Sequence, residues 1–227
     1  MNETIIAVGN GGYNLAADLI SAGLFPEARL IICDTNEKDL EKNSANATES
    51  FILEKLRKGV KSGDTALVDD IVEKASDSVI ICATLGGMTG SKYAPLIALN
   101  AILKGKFVCS FFSMPYEFEG EQNSKRAMNA RMQLIVSSNL AVQQNNERLK
   151  EVESPGLNDI DKPIVETIKS AMSNRTLEEL ANEPNNEALQ AYIPEEYRVS
   201  GLPLIWLRSD TYRGITDQDR KGIFNIY

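Results

Sequence analysis

Short apolar runs alternate with helix-like segments along the first 136 residues, and this alternation limits the possible folds more than any other feature. The runs lie at 4–8, 28–33, 78–82, 106–112 and 132–136. Runs of this length that are apolar on both faces are typical of strands buried between two layers of helices. The alternation therefore predicts an α/β fold, a doubly wound parallel sheet of the Rossmann-like kind.

The segments between the runs carry helical or amphipathic patterns. Helices are predicted over 13–22, 92–104 and 119–131, a short helix and loop over 37–48, and amphipathic segments over 49–58 and 65–76. Gly23 and Gly105 follow two of these helices, as expected for residues that end a helix.

Two glycine-rich turns follow the first and third runs, where the chain enters a helix. The first is Gly9 to Gly12, and the central one is Gly86 to Ser91. Glycine lets the backbone approach a ligand, and the first N–H groups of a helix lack partners, so such a turn suits a phosphate. A single turn of this kind fits an empty strand-to-helix connection equally well. Two at the same edge of a sheet favour a nucleotide.

Composition excludes several classes of chemistry. The 227 residues include no histidine, which rules out imidazole catalysis and histidine-containing zinc sites. The net charge of −8 argues against broad binding to nucleic acid or to an anionic membrane. The sequence has neither a run long enough to span a membrane nor a signal-peptide pattern. We therefore expect a cytoplasmic protein without direct nucleic-acid or membrane partners.

Asp34 follows the second run and has two possible roles. Its carboxylate fits a ribose hydroxyl of a nucleotide, and it equally fits a cap of the next segment. Together with Gly9 to Gly12 it also fits an NAD-type dinucleotide-binding domain. Such a domain does not need a second glycine turn with Thr89 and Ser91.

Residues 83–98 carry the most specific motif. They read A-T-L-G-G-M-T-G-S-K-Y-A-P-L-I-A and resemble the tubulin/FtsZ signature A-G-M-G-G-G-T-G-T-G-A-A-P-V-I-A. Four more segments resemble motifs of that family in the same order: the glycine loop at 9–14, C-D-T-N-E-K-D-L at 33–40, M-P-Y-E-F-E-G at 114–120 and L-I-V-S-S-N at 134–139. The similarity covers residues 4–140.

The resemblance implies binding of GTP or GDP, with Mg²⁺ held through the nucleotide and not by protein ligands. Both glycine loops would hold phosphates, Glu119 the ribose and Asn139 the guanine edge, with Asn145 or Asn146 as a second base contact. The binding residues that it implies are Gly9, Asn10, Gly11, Gly12, Tyr13, Asp34, Thr35, Gly86, Gly87, Met88, Thr89, Gly90, Ser91, Pro115, Glu119, Asn139 and Asn146.

Catalysis in the family depends on assembly, since the next subunit of a head-to-tail filament supplies an N-x-D-x-x-D loop. The nearest match here is G-L-N-D-I-D at 156–161. The resemblance thus makes Asp159 and Asp161 candidate catalytic residues that act on the neighbouring subunit. Asp161 equally fits a cap of the helix predicted at 162–172.

The chain also departs from the family pattern. Met88 and Lys92 replace glycines of the central turn, and Asn123 replaces an arginine for which Lys125 or Arg126 is the available substitute. These changes leave an alternative function open, that of a scaffold that assembles without nucleotide.

The predicted organisation is a nucleotide-binding domain over 1–152 followed by a reduced C-terminal extension over 153–227. The extension is too short for the usual second domain of the family. Its predicted elements are helices at 162–172, 176–180 and 187–191 and a strand at 202–207.

Overall fold

The computed structural model describes residues 3–54, 62–150, 160–183, 186–198 and 204–208, together with residues 216, 218 and 219. Within these residues seven strands form one sheet in the order β3-β2-β1-β4-β5-β6-β7. The strands are β1 (Thr4–Val8), β2 (Arg29–Asp34), β3 (Glu49–Ile52), β4 (Ser78–Thr84), β5 (Phe107–Met114), β6 (Leu140–Asn145) and β7 (Leu204–Arg208). β1 to β6 run parallel, and β7 is antiparallel to β6. The predicted fold class is confirmed.

Helices cover both faces of the sheet. They are α1 (Gly9–Ser21), α2 (Glu37–Asn43), α3 (Ser62–Lys74), α4 (Met88–Leu103), α5 (Glu121–Val136), α6 (Asn146–Leu149), α7 (Lys162–Met172), α8 (Leu177–Ala181) and α9 (Asn186–Gln190). The core on one face includes α1, α7, α8 and α9, and the core on the other includes α3, α4 and α5. Within β1, Ile5 packs into the first core and Ile6 into the second. This two-sided burial explains why the strand sequences lack polar alternation.

The strand order places a topological switch point at β1. The chain leaves β1 towards β2 and β3 on one side and returns on its other side at β4. In open α/β sheets, ligands bind beyond the carboxyl ends of the strands at such a point. The expected ligand position in this fold is therefore beyond the carboxyl ends of β1 and β4.

Glycines allow α1 and α4 to lie directly on the backbone of β4. A Cβ atom added to Gly12 would be 2.3 Å from the carbonyl oxygen of Cys82, and one added to Gly90 would be 2.3 Å from that of Thr84. Carbon atoms normally pack no closer than about 3.5 Å. Any side chain at these positions would push the helices away from the strand.

One predicted strand is wrong. Residues 132–136 form the last turn and a half of α5, and the next strand is β6, which starts at Leu140. The run M-Q-L-I-V ends in three residues that α5 buries against the sheet, and a buried helical segment has the same apolar composition as a strand. The amphipathic segment predicted over 49–58 begins as the edge strand β3, and its residues 55–58 lie outside the described part of the chain.

The described parts of the C-terminal extension pack against the same sheet. β7 and α7 confirm the strand predicted at 202–207 and the helix predicted at 162–172, and Trp206 of β7 is buried. The predicted boundary between 1–152 and 153–227 falls next to residues that are not described, so it stays a prediction. Within the described ranges, no helix combines the length and apolar character needed to cross a membrane.

We expect Gly12→Ala to lower the free energy of unfolding by about 1–3 kcal/mol, because the added methyl group must displace α1 from β4. Gly87→Ala is the matched control, since an added Cβ there meets no atom within 4 Å. Urea denaturation followed by circular dichroism measures both variants. A Gly12→Ala midpoint equal to that of the wild type would contradict the close contact.

Candidate nucleotide-binding site

The amino ends of α1 and α4 meet at the switch point. A Cβ atom on Gly9 would lie 3.5 Å from Cβ of Thr89, which is van der Waals contact. Neither helix has a side-chain cap from a described residue. The first N–H groups of a helix have no acceptor within it, and the helix dipole places partial positive charge there. Two such ends this close together form a place that favours an anion.

The glycines of the two turns have separate roles in the structure. Gly9 and Gly86 adopt left-handed φ angles of 77° and 100°, which glycine tolerates best. Gly11, like Gly12 and Gly90, permits close packing, because a Cβ on it would overlap the Thr84 hydroxyl at 2.1 Å. A Cβ atom added to Gly87 would have no other atom within 4 Å, so this glycine is open to its surroundings. That these residues contact phosphate stays a prediction.

A hydroxyl pair connects the end of β2 to the start of α4. Oγ1 of Thr89 lies 2.7 Å from Oγ1 of Thr35 and 3.4 Å from Oδ1 of Asp34. Oδ1 of Asp34 also accepts from the backbone N–H of Asn36 at 3.0 Å. Asp34 therefore stabilises the turn that precedes α2, but the residue that caps α2 is Asn36. The Asp34 carboxylate also lies beside the amino end of α4, and its contact with a nucleotide stays a prediction.

Two other predicted residues bridge α1 to the region of α2. Oδ1 of Asn10 accepts from Nδ2 of Asn43 at 3.1 Å, and the Tyr13 hydroxyl accepts from Nδ2 of Asn46 at 3.2 Å. These bonds hold the first turn of α1 against the chain that follows β2.

The peptide groups of Gly86 are held on both sides. Its N–H donates to Oγ of Ser91 at 2.8 Å, and its carbonyl accepts from the guanidinium of Arg126. Nη1 of Arg126 also donates to Oδ1 of Asn123 at 3.1 Å. Because Ser91 is buried and its hydroxyl accepts from the N–H of Gly86, this side chain stabilises the shape of the turn. Met88 stands at the start of α4 with 49% of its surface exposed.

The segment after β5 borders the central turn. Pro115 comes within 3.0 Å of the Cβ position of Gly86. Oε1 of Glu119 accepts from the N–H of Tyr116 at 2.9 Å, and the rings of Tyr116 and Phe118 stack with centroids 5.0 Å apart. Nζ of Lys150 lies 5.2 Å from both ring centroids. A stacked aromatic pair in contact with the ammonium group of Lys150 thus lies just after the carboxyl end of β5.

The role predicted for Asn139 needs correction. Asn139 precedes β6, and its Oδ1 accepts from the N–H of Val108 at 2.8 Å, near the start of β5. It therefore lies at the amino ends of the strands, on the opposite edge of the sheet from the glycine turns. Asn145 and Asn146, at the carboxyl end of β6, lie on the correct edge.

Asp161 also differs from its predicted role. It is the residue before α7, with only 5% of its surface exposed, and its side chain makes no capping bond. Burial, together with the nearby carboxylate of Asp18 on α1, raises the pKa of Asp161 to about 7. A carboxyl enclosed in its own subunit cannot reach water in a neighbouring one. Asp159 lies outside the described residues.

Sequence analysis missed Gln144, a fully buried residue of β6 that binds both the backbone around α7 and the side chain of Asn146. The run Q-Q-N-N at 143–146 was the available signal, because polar residues that close a strand of a parallel sheet lie at the ligand edge. Among the described residues no group of three potential metal-ligating side chains comes together.

A family model described as "Tubulin/FtsZ family, GTPase domain" matches residues 3–154. The chain belongs to the tubulin/FtsZ family. The cell division protein FtsZ of Mycoplasmopsis pulmonis is 32% identical over 163 residues, which are 66% of this chain and 41% of that protein. FtsZ 1 of Pyrococcus woesei is 28% identical over 159 residues, 65% of this chain and 43% of that protein. The chain thus spans less than half the length of these relatives.

Solved structures agree on the fold. The FtsZ W319Y mutant of M. jannaschii matches with a TM-score of 0.61 at 22% identity, over 75% of this chain and 56% of that one. TubZ of the Clostridium botulinum phage c-st matches with a TM-score of 0.60 at 20% identity, over 77% and 60% of the two chains. Both likenesses extend over most of this chain.

The raised pKa of Asp161 predicts a pH-dependent stability. Between about pH 4 and 7 the unfolded chain loses this proton while the folded protein keeps it, so the free energy of unfolding falls as pH rises, by up to about 4 kcal/mol. The Asp161→Asn side chain cannot ionise, so the variant does not show this fall in the free energy of unfolding. Urea denaturation at pH 5 and pH 8 is therefore expected to find the variant more stable than the wild type, by a larger margin at pH 8.

The control for this experiment is Asp77→Asn, whose side chain is 99% exposed in the wild type. Its stability difference from the wild type is expected to change little between the two pH values. Equal margins at pH 5 and pH 8 for Asp161→Asn would contradict the burial of a protonated carboxyl.

Proposed function

We propose that this protein binds a guanine nucleotide with its phosphates at the amino ends of α1 and α4. The observation that supports the proposal is the close approach of these two helix ends, neither with a side-chain cap from a described residue, at the switch point of the sheet. The hydroxyl of Thr89 and the open backbone of Gly87 supply further groups at this place. Membership of the tubulin/FtsZ family supports guanine as the base.

The base and sugar fit along the edge towards β6. Strands lie about 4.8 Å apart, so the end of β6 is about 10 Å from that of β4, a distance that an extended nucleoside can cover. We assign Asn145 and Asn146 to the base and retain Glu119 for the ribose. Asn139 has no part in this arrangement.

Mg²⁺ is expected to arrive with the nucleotide. Oxygen atoms of Asp34, Thr35 and Thr89 lie together beside the phosphate position, and magnesium prefers oxygen ligands while keeping several waters and phosphate oxygens. Bound there, the ion would neutralise phosphate charge. The protein oxygens would orient its waters.

Self-assembly is the second part of the proposal. We infer that subunits associate head to tail in the cytoplasm, since a heterologous contact that does not close gives a filament. The relatives named FtsZ are cell division proteins, which supports a cytoskeletal role. GTP hydrolysis on assembly needs a catalytic group other than Asp161, and Asp159 remains the candidate from the sequence.

A scaffold that assembles without nucleotide is the alternative. The exposed Met88 favours it, because this side chain occupies the position of a glycine in the family's phosphate turn. Membership of the tubulin/FtsZ family argues against an NAD-type domain.

Fluorescent GTP titration tests nucleotide binding. Thr89→Val is expected to weaken GTP about tenfold, because it removes a hydroxyl next to the phosphates. Thr48→Val is the matched control: its hydroxyl accepts from the N–H of Leu30 at 3.2 Å, at the opposite edge of the sheet. Equal effects of the two substitutions would contradict the phosphate position.

Light scattering and negative-stain imaging with GTP, GDP, ATP or no nucleotide test assembly, with released phosphate followed in parallel. Filaments that form only with GTP are the expected result. Filaments in every sample would favour the nucleotide-independent scaffold, and a monomer that ignores GTP would refute both.

A further inference from the structure

Gln144 is a fully buried amide at the carboxyl end of β6, and all three of its hydrogen bonds are to protein groups. Its Oε1 accepts from the backbone N–H of Ile164 at 3.1 Å. Its Nε2 donates to the carbonyl oxygen of Ile160 at 2.8 Å and to Oδ1 of Asn146 at 3.0 Å. Both hydrogens of Nε2 are therefore used.

These partners fix which way the amide of Gln144 points. A backbone N–H can only donate and a backbone carbonyl can only accept. Reversing the amide would place Nε2 against the N–H of Ile164 and Oε1 against the carbonyl of Ile160. The backbone around the start of α7 thus determines that Gln144 presents a donor to Asn146.

The orientation of Asn146 follows from that donor. Its oxygen must face Gln144, so its Nδ2 group lies on the other arm of the amide, turned away from Gln144. The neighbouring Asn145 is oriented in the same sense, because its Oδ1 accepts from the N–H of Glu147 at 3.1 Å as the cap of α6. Neither Nδ2 group has a hydrogen-bond partner among the residues that the structure describes.

We propose that Gln144 is a positioning residue that turns the amide of Asn146 so that, together with Asn145, it presents a pair of N–H donors, and that this pair selects guanine over adenine. The inference rests on the proposed nucleotide function. Guanine offers two adjacent acceptors, O6 and N7, whereas adenine offers the acceptor N7 beside the donor N6. An asparagine with a free oxygen pairs with both adenine atoms, and here both oxygens are held by the protein.

Gln144→Glu tests the role of the amide. The carboxylate keeps an acceptor for the N–H of Ile164 but replaces the donor that faces Asn146 and Ile160 with an oxygen. The amide of Asn146 then turns over to donate to it and presents its own oxygen to the base. We expect the preference for GTP over ATP, measured by competition against fluorescent GTP, to fall about tenfold or more.

Gln143→Glu is the matched control. It introduces the same charge one residue earlier in β6, on the opposite face of the sheet, where Oε1 of Gln143 accepts from the guanidinium of Arg131. The preference for GTP is expected to stay at the wild-type value. A loss of preference in this control as large as in Gln144→Glu would overturn the inference.

Asn146→Asp provides a second variant in case Gln144→Glu does not fold. The carboxylate still accepts from Nε2 of Gln144, while the two N–H donors are lost. The preference for GTP is again expected to fall about tenfold. An unchanged preference in a folded variant, either this one or Gln144→Glu, would overturn the role of the donor pair.

Side-chain amide exchange, measured by NMR on the free protein, needs no nucleotide. The protons of Gln144 are expected to exchange at least about tenfold more slowly than those of Asn145 and Asn146, because both are bonded in the interior. Fast exchange at Gln144 in a protein that binds GTP overturns the positioning role alone. Failure of the wild type to bind GTP, GDP or ATP overturns the proposed function, and the base preference with it.

Discussion

The direct seating of α1 and α4 on the backbone of β4 is the constraint on which the rest of the site depends. Gly12 and Gly90 remove the side chains that would separate helix from strand. With that separation gone, the amino ends of the two helices lie close together, and neither has a side-chain cap from a described residue. The proposed phosphate site is thus a product of core packing as much as of loop sequence. Glycines that resemble a binding motif also determine how closely the helices approach the sheet.

Much of the fold was predictable, because β1, β2, β4 and β5 are buried on both faces and carry an unmistakably apolar sequence. β6 was missed for a physical reason. Its residues Gln143 and Gln144 are polar, and burial is possible only because Arg131 and the backbone of α7 satisfy them. Those partners lie far away in the sequence or across the sheet, so local patterns do not show them. The apolar end of α5 therefore has the pattern of a strand, and a strand ending there would place Asn139, and not Asn145 or Asn146, at the carboxyl end.

The positions of site residues were predictable where they follow from the order of the strands. The direction in which an individual side chain points was not predictable. The glycine turns, Asp34 and Thr89 come together as the order of the strands requires. Asp161 has a residue type that suits catalysis, yet it faces the interior because the seat of α7 on α1 and β6 turns it there. Sequence gives no measure of that rotation, since a residue next to a helix start is equally able to face solvent.

The hydrogen bonds between the side chain of Gln144 and the peptide groups of Ile160 and Ile164 have a thermodynamic consequence. The amide that orients Asn146 is correctly placed only while α7 is seated on the sheet. If the base binds at Asn146 as proposed, base binding and the packing of α7 are linked equilibria, and linkage is reciprocal. Whatever stabilises α7 in its place would then tighten nucleotide binding, and the nucleotide would stabilise α7 by the same free energy. In the proposed arrangement the end of β6 and α7 would respond to the ligand as one cooperative unit.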